Sequence, residues 1–365
     1  MLSRILFVTD LAGAIVDAVR FNRSRKIGFP TTMRFAVVAL TAISMLAGTA
    51  PASAAGGHGA KRSRAKLLDI SGLIWLEGDV FLAVSDAKIP DENTFTRVSL
   101  LSLATSLDGI GFRRLSPRFP GGLSSDFESA AGIPGRKKFL LAESADDGEG
   151  NPQRIFLAKL VGKRPNRQRI KILDFVEWNS FTPVKNVEAT AVAATDTGSK
   201  FIFIWAERNH GERFAYVNWT DLWLDPFQIA WDNVQRVKFT LPDYLVDKNI
   251  ELIDPSVNLY YNRAIVGMDV DSEGNIYTVA AFDPDEDGGP FQSAVLKIGK
   301  VRDGEVQLDA EPTLLASLDG LKVESVALRE IGNGVELFIG TDDEFYGGVL
   351  RPLQPLVEPT LNISD

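Results

Sequence analysis

No cysteine occurs anywhere in the 365 residues, so disulfides, thiolate metal sites and a cysteine nucleophile are excluded. Histidine is almost as scarce. With only His58 and His210 present, a three-His zinc site is ruled out and a two-His site is all but excluded. No G-x-S-x-G elbow, phosphate-binding P-loop, H-E-x-x-H or C-x-x-C string can be found. Basic residues are outnumbered, 39 Lys and Arg against 48 Asp and Glu, giving a net charge of −9. Phosphate backbones need clustered Lys and Arg, so a nucleic-acid partner is not expected. The one dense basic run, Lys163-Arg164-Pro165-Asn166-Arg167-Gln168-Arg169, lies between two strand-like runs and reads as a solvated turn. Arg208 or Arg213, beside Glu207, reads as half of a surface ion pair or, alternatively, as a holder for an anionic substrate.

The amino-terminal region has the grammar of an export signal. Met33-Arg34 is a short positive start, Phe35 to Gly48 is apolar, and Ala52-Ser53-Ala54 offers a small-x-small cleavage site. The apolar stretch is shorter than the ~20 residues a membrane span needs. Residues 1–54 are therefore expected to be an upstream segment plus signal peptide, 55–66 a linker, and 67–365 one domain. The mature protein would be periplasmic or secreted, with no membrane span and a net charge of −13. Nothing in the sequence specifies its oligomeric state.

Beyond residue 66 long helical periodicity is missing, and a repeat takes its place. Five segments share an apolar–variable–small opening, a short apolar strand, a turn, and a second strand ending in small residues and an acid. They begin at Ile70, Phe127, Val187, Ile265 and Val323, spaced by 57, 60, 78 and 58 residues. Further β-branched and aromatic runs, such as Arg154–Leu160 and Arg169–Val176, fill the intervals, with Gly, Asp, Asn and Pro between them. Four strands repeated every ~58 residues predict an all-β propeller of five four-stranded blades. The 78-residue interval contains Val234–Leu241 and Asn249–Ile253, both strand-like, so a degenerate sixth blade is the alternative. The third residue of each repeat (Gly72, Ser129, Ala189, Gly267, Ser325) is small, as crowding of innermost strands around an axis demands.

Acids recur at two registers. The second residue of the repeat is Ser71, Glu128, Glu188, Val266 or Glu324, and the second strand closes on Asp86, Glu143, Glu207, Asp283 or Asp342. In a propeller both sets fall on one face. Carboxylates gathered there repel one another unless they bind a cation or pair with neighbouring Lys, Arg or N–H groups. An all-oxygen set suits Ca²⁺ or Mg²⁺. The expected metal ligands are Glu128, Glu188, Glu324, Asp342 and Asp283, with the ion off-axis toward the second, third and fifth blades. Asp86 and Glu143 are the candidate proton acceptors. Asp283-Pro284-Asp285-Glu286-Asp287-Gly288 resembles the start of a calcium loop, whereas Asp269 to Asn275 reads as a hairpin turn.

Ile70-Ser71-Gly72-Leu73 with the strand ending Ser85-Asp86, then Asp126-Phe127-Glu128 with the strand ending Ala142-Glu143, resembles the esterase-like phytase propeller family. Ser129 departs from that family's usual glycine. The resemblance implies an exported propeller that hydrolyses phosphoesters or esters, and it touches Ser71, Asp86, Asp126, Glu128 and Glu143. Two functions follow as expectations. One is a metal-dependent phosphoester or ester hydrolase acting on a small anionic substrate; the other is a non-catalytic, calcium-stabilised binding propeller.

Overall fold

The computed structural model describes residues 69–353, apart from 87–97, 103–110, 123–125, 146–152, 163–166, 179–185, 209–213, 246–261, 283–288, 290, 333 and 343–347. The predicted signal region, linker, Asp283 and His210 lie outside the described residues.

The five repeats fold into five antiparallel sheets. Blade I is β1 (Gly72–Glu77), β2 (Val80–Val84), β3 (Val98–Ser102) and β4 (Gly111–Leu115), hydrogen-bonded in that order. Blade II is β5 (Phe127–Gly132), β6 (Phe139–Glu143), β7 (Arg154–Val161) and β8 (Arg169–Glu177). Blade III is β9 (Val187–Ala194), β10 (Lys200–Glu207), β11 (Phe214–Leu224), β12 (Phe227–Ile229) and β13 (Gln235–Thr240). Blade IV is β14 (Asn262–Val270), β15 (Asn275–Phe282), β16 (Gln292–Arg302) and β17 (Glu305–Asp319). Blade V is β18 (Val323–Ile331), β19 (Gly334–Thr341) and β20 (Leu350–Pro352). Strands β1, β5, β9, β14 and β18 each pack on the next, and β18 returns to β1, closing the ring.

The five-bladed all-β propeller is thus the fold, and the long third interval has a simple cause. Strand β11 is 11 residues long and carries two short partners on its outer edge, β12 along Leu222–Leu224 and β13 along Phe214–Trp219. The run at Val234–Leu241 therefore belongs to blade III, and the described residues contain no sixth sheet. Blades III and V depart from the expected four strands, with five and three among the described residues.

Crowding at the axis explains the small third residues. A methyl group on Gly72 would lie 2.8 Å from the Ala130 nitrogen, and one on Gly267 would lie 2.5 Å from the Glu324 carbonyl oxygen. Neighbouring innermost strands approach so closely that their backbones fill the space a side chain would need. Ser129 and Thr190 meet there through a hydroxyl–hydroxyl bond of 3.0 Å. What remains is a cavity of about 10 Å³ touching Gly72, Ser129, Glu188, Thr190, Met268 and Ser325, with room for one water at most. Apolar faces pack between consecutive blades. Phe127 and Phe156 join Leu82 and Val84 between blades I and II, and Trp178, Phe203 and Trp205 do the same between blades II and III.

Candidate functional site

One face of the ring is stitched where each second strand ends beside the start of an inner strand. Val187 N–H donates to Ser144 O at 2.6 Å, and Ile70 N–H donates to Thr341 O at 3.0 Å. These contacts place Asp86, Glu143 and Asp342 on the same face as the openings of the inner strands. Asp126 and Asn186 enter β5 and β9 with positive φ, 20° and 45°. Their short polar side chains make them among the residues that best tolerate such a kink.

The acids on this face meet different fates. Glu143 is fully buried and clamped by Arg154 at the start of β7. Nε donates to Oε2 at 3.1 Å, Nη2 to Oε1 at 2.8 Å, and the Arg154 backbone N–H to Oε2 at 2.7 Å. Arg154 in turn reaches Pro120 O and lies over the Phe156 ring. Both carboxylate oxygens are therefore engaged in holding blade II together. Glu188 pairs with Arg208 Nη1 at 2.9 Å, so Arg208 reaches the mouth. Lys322 is only 2% exposed, and its ammonium lies 3.3 Å from Glu324 and 3.2 Å from Asp342. A buried ammonium thus sits where sequence reasoning placed a metal.

Asp86, Asp126 and Glu128 are arranged otherwise. One oxygen from each lies within 4.8 Å of the others. Asp86 accompanies Ser71, whose Oγ accepts the Asp86 backbone N–H at 3.2 Å. Glu128 makes no ion pair or hydrogen bond among the described residues and is partly open to the mouth. Desolvation pushes its carboxyl well above the usual range, and the charges of Asp86, Glu188, Asp126 and Glu324 push it further. The cluster therefore lies at the seam of blades I and II, not toward blades II, III and V.

Sequence reasoning missed Arg154 and Lys322, and it named Arg208 without its partner Glu188. For Lys322 a signal existed: a residue two before Glu324 on an extended chain lies on the same side as the glutamate. The equivalent residue before Glu128 is Asp126, and before Glu188 it is Asn186.

No family model and no curated protein sequence matches the chain. Among solved structures it is similar to an α-L-arabinofuranosidase from Lactobacillus brevis, at 14% identity over 78% of this chain and 90% of that one, with a TM-score of 0.43. A thermostable family-43 glycoside hydrolase matches at 13% identity over 79% and 93%, TM-score 0.45. Hydrazine synthase of Kuenenia stuttgartiensis matches at 9% over 76% and 65%, TM-score 0.32. Scores this low assign no activity to this chain.

The likeness to the esterase-like phytase family does not survive. Its short motifs lead to no family model. Two of its five motif positions serve the scaffold, Ser71 as a backbone acceptor and Glu143 in the Arg154 clamp. The phosphoester or ester hydrolase expectation falls with it. Among the described residues, Arg208, Lys322 and Arg154 are already bound to carboxylates, and the acids crowding the mouth repel a phosphoryl group.

Proposed function

We propose that the seam of blades I and II is a carboxyl acid–base centre that cleaves a glycosidic bond in a neutral sugar. The carrying observation is Glu128, a carboxyl with no ion pair among the described residues, whose proton is favoured by desolvation and by the charges of Asp86 and Asp126. Cleavage of an acetal needs this division of labour: one carboxyl that holds a proton at neutral pH, and an ionised one close by. Glu128 donates its proton to the leaving oxygen. Asp86 or Asp126 attacks the anomeric carbon, and water, deprotonated by Glu128, then releases the sugar. The short spacing within the cluster favours this double displacement, since inversion needs room for a water between carboxyls ~6.5–9.5 Å apart. The surrounding negative charge disfavours the anionic substrate expected from sequence and suits an uncharged one. Sugar cleavage appears in the names of several matched proteins, but the reading here stands on the carboxyls alone.

The decisive experiment is a panel of aryl glycosides followed by NMR. Turnover with retained anomeric configuration, lowered at least ~100-fold by Glu128→Gln, is expected. No turnover on any glycoside, or turnover untouched by that substitution, overturns the reading.

A second reading rests on the same three oxygens. Their mutual distances suit a Ca²⁺ or Mg²⁺ ion bound by Asp86, Asp126 and Glu128, which would hold Glu128 ionised. Calorimetry with CaCl₂ separates the two, because micromolar binding lost in Asp126→Asn favours the cation. Export also remains a proposal, resting on the Phe35–Gly48 apolar stretch and the Ala52-Ser53-Ala54 site. Mass spectrometry of the protein from a periplasmic fraction should give an N-terminus at Ala55, and an uncleaved cytoplasmic chain would refute it.

A further inference from the structure

Asp269 stands at the far end of β14, away from the acidic mouth, and its carboxylate crosses to blade V. Oδ2 accepts the Leu328 N–H of β18 at 2.8 Å, while Oδ1 accepts the Val270 N–H at 2.8 Å. Innermost strands leave one edge without a ladder partner, and the N–H groups on it must be satisfied by other means. Asp269 does this for Leu328 and so ties two blades together.

We propose that Asp269 is a proton-sensitive clasp across the seam of blades IV and V, relaxed when neutral and strained when charged. The charged groups around it work in one direction. Asp271 approaches from the β14–β15 turn and Glu330 from β18, and both repel a carboxylate. On β15, Tyr277 lies opposite Asp269 in register, but its hydroxyl donates to Asp271. Arg329, next to Leu328 on β18, is taken by Glu336 and Asp79. On the neighbouring β10 strand, Lys200 is held by Asp221 at 3.0 Å. Burial pushes the Asp269 carboxyl up to about 7, the two backbone N–H bonds pull it down, and Asp271 and Glu330 add to the rise.

The sign follows from linkage. Between its ordinary value of 3.8 and about 7, the folded chain holds a proton that the unfolded chain has lost. Stability from this group is therefore greatest at low pH, declines as pH rises through that window, and levels off above about 7. The proposal is independent of the acid–base reading of the mouth.

The test is thermal melting from pH 5 to pH 8 of the full chain and of Asp269→Asn. The amide is neutral at every pH but its NH2 cannot accept the second backbone N–H, so the slopes of the two curves are compared rather than their heights. The wild-type protein is expected to lose roughly 5 °C more than the variant over this range. Amide exchange at Leu328 should also accelerate more steeply with pH than the intrinsic rate. Glu330→Gln, which leaves the clasp intact, should flatten the wild-type curve in part and decides the matter if Asp269→Asn does not fold. Parallel pH curves for wild type and Asp269→Asn, or for wild type and Glu330→Gln where only that variant folds, overturn the proposal.

Discussion

The two halves of the acidic mouth are built from the same repeat and end in opposite electrostatic states. On blades III and V the repeat glutamates are neutralised from within, Glu188 by Arg208 and Glu324 by Lys322. At the seam of blades I and II, Glu128 meets Asp126 and Asp86 instead. The residue two positions before each glutamate largely decides this. Lys322 brings a charge of opposite sign, Asn186 brings none, and Asp126 brings the same sign. The same scaffold thus leaves like charges facing one another around Glu128 while pairing Glu188 and Glu324 with cations. Burial and neighbouring negative charge both favour the protonated carboxyl, and Glu128 experiences the two together, as acid–base chemistry at neutral pH requires.

The largest effect is expected from attacking the neutralised half. Lys322→Met strips the buried cation from Glu324 and Asp342 and should destabilise the protein by about 3–5 kcal/mol in urea unfolding. Adding Glu324→Gln and Asp342→Asn to that variant should restore much of the loss. If Lys322→Met melts like wild type, the internal-cation account of blade V is wrong.

A smaller loss should follow a change to the axis that leaves both halves chemically intact. Gly267→Ala would drive a methyl group against the Glu324 carbonyl, and the ring must open to admit it. A destabilisation of roughly 2–3 kcal/mol is expected, measured by the same unfolding. A neutral outcome would mean that the inner strands pack more loosely than these contacts imply.

The smallest effect, and the one opposite in sign, belongs to the bare half. Glu128→Gln removes a carboxyl that burial and four acids disfavour as an anion, so it should stabilise by about 1 kcal/mol at pH 8. Because the folded-state value is raised, the strain begins as pH climbs past the ordinary value of 4.5 and grows upward. The gain should therefore nearly vanish at pH 4.5. Equal gains at both pH values would show that Glu128 is not strained by its neighbours.

Much of this was legible in the chain. The spacing of the five repeats, the alternation within each strand and the small third residues specify innermost strands crowded on an axis. The loop lengths then specify antiparallel neighbours. Gly72 and Gly267 are where that reading is most direct, since the close approach they permit is local to the repeat. The third interval left a sixth blade open as an alternative, because length alone does not say that β11 spends its extra residues on a second partner along the same edge.

The chain alone determined that acids would recur at two registers and converge on one face, because periodicity fixes which residues share a side and an end of a blade. It could not determine which acids would be neutralised. Arg154 lies 11 residues beyond Glu143, Arg208 lies on the far side of a hairpin from Glu188, and Lys322 reaches 20 residues ahead to Asp342. An ion pair is a contact of a few ångströms between side-chain tips, and no sequence period encodes it. Only the closed ring brings Asp86 of one blade against Asp126 and Glu128 of the next, and only burial there makes their proximity change a proton affinity.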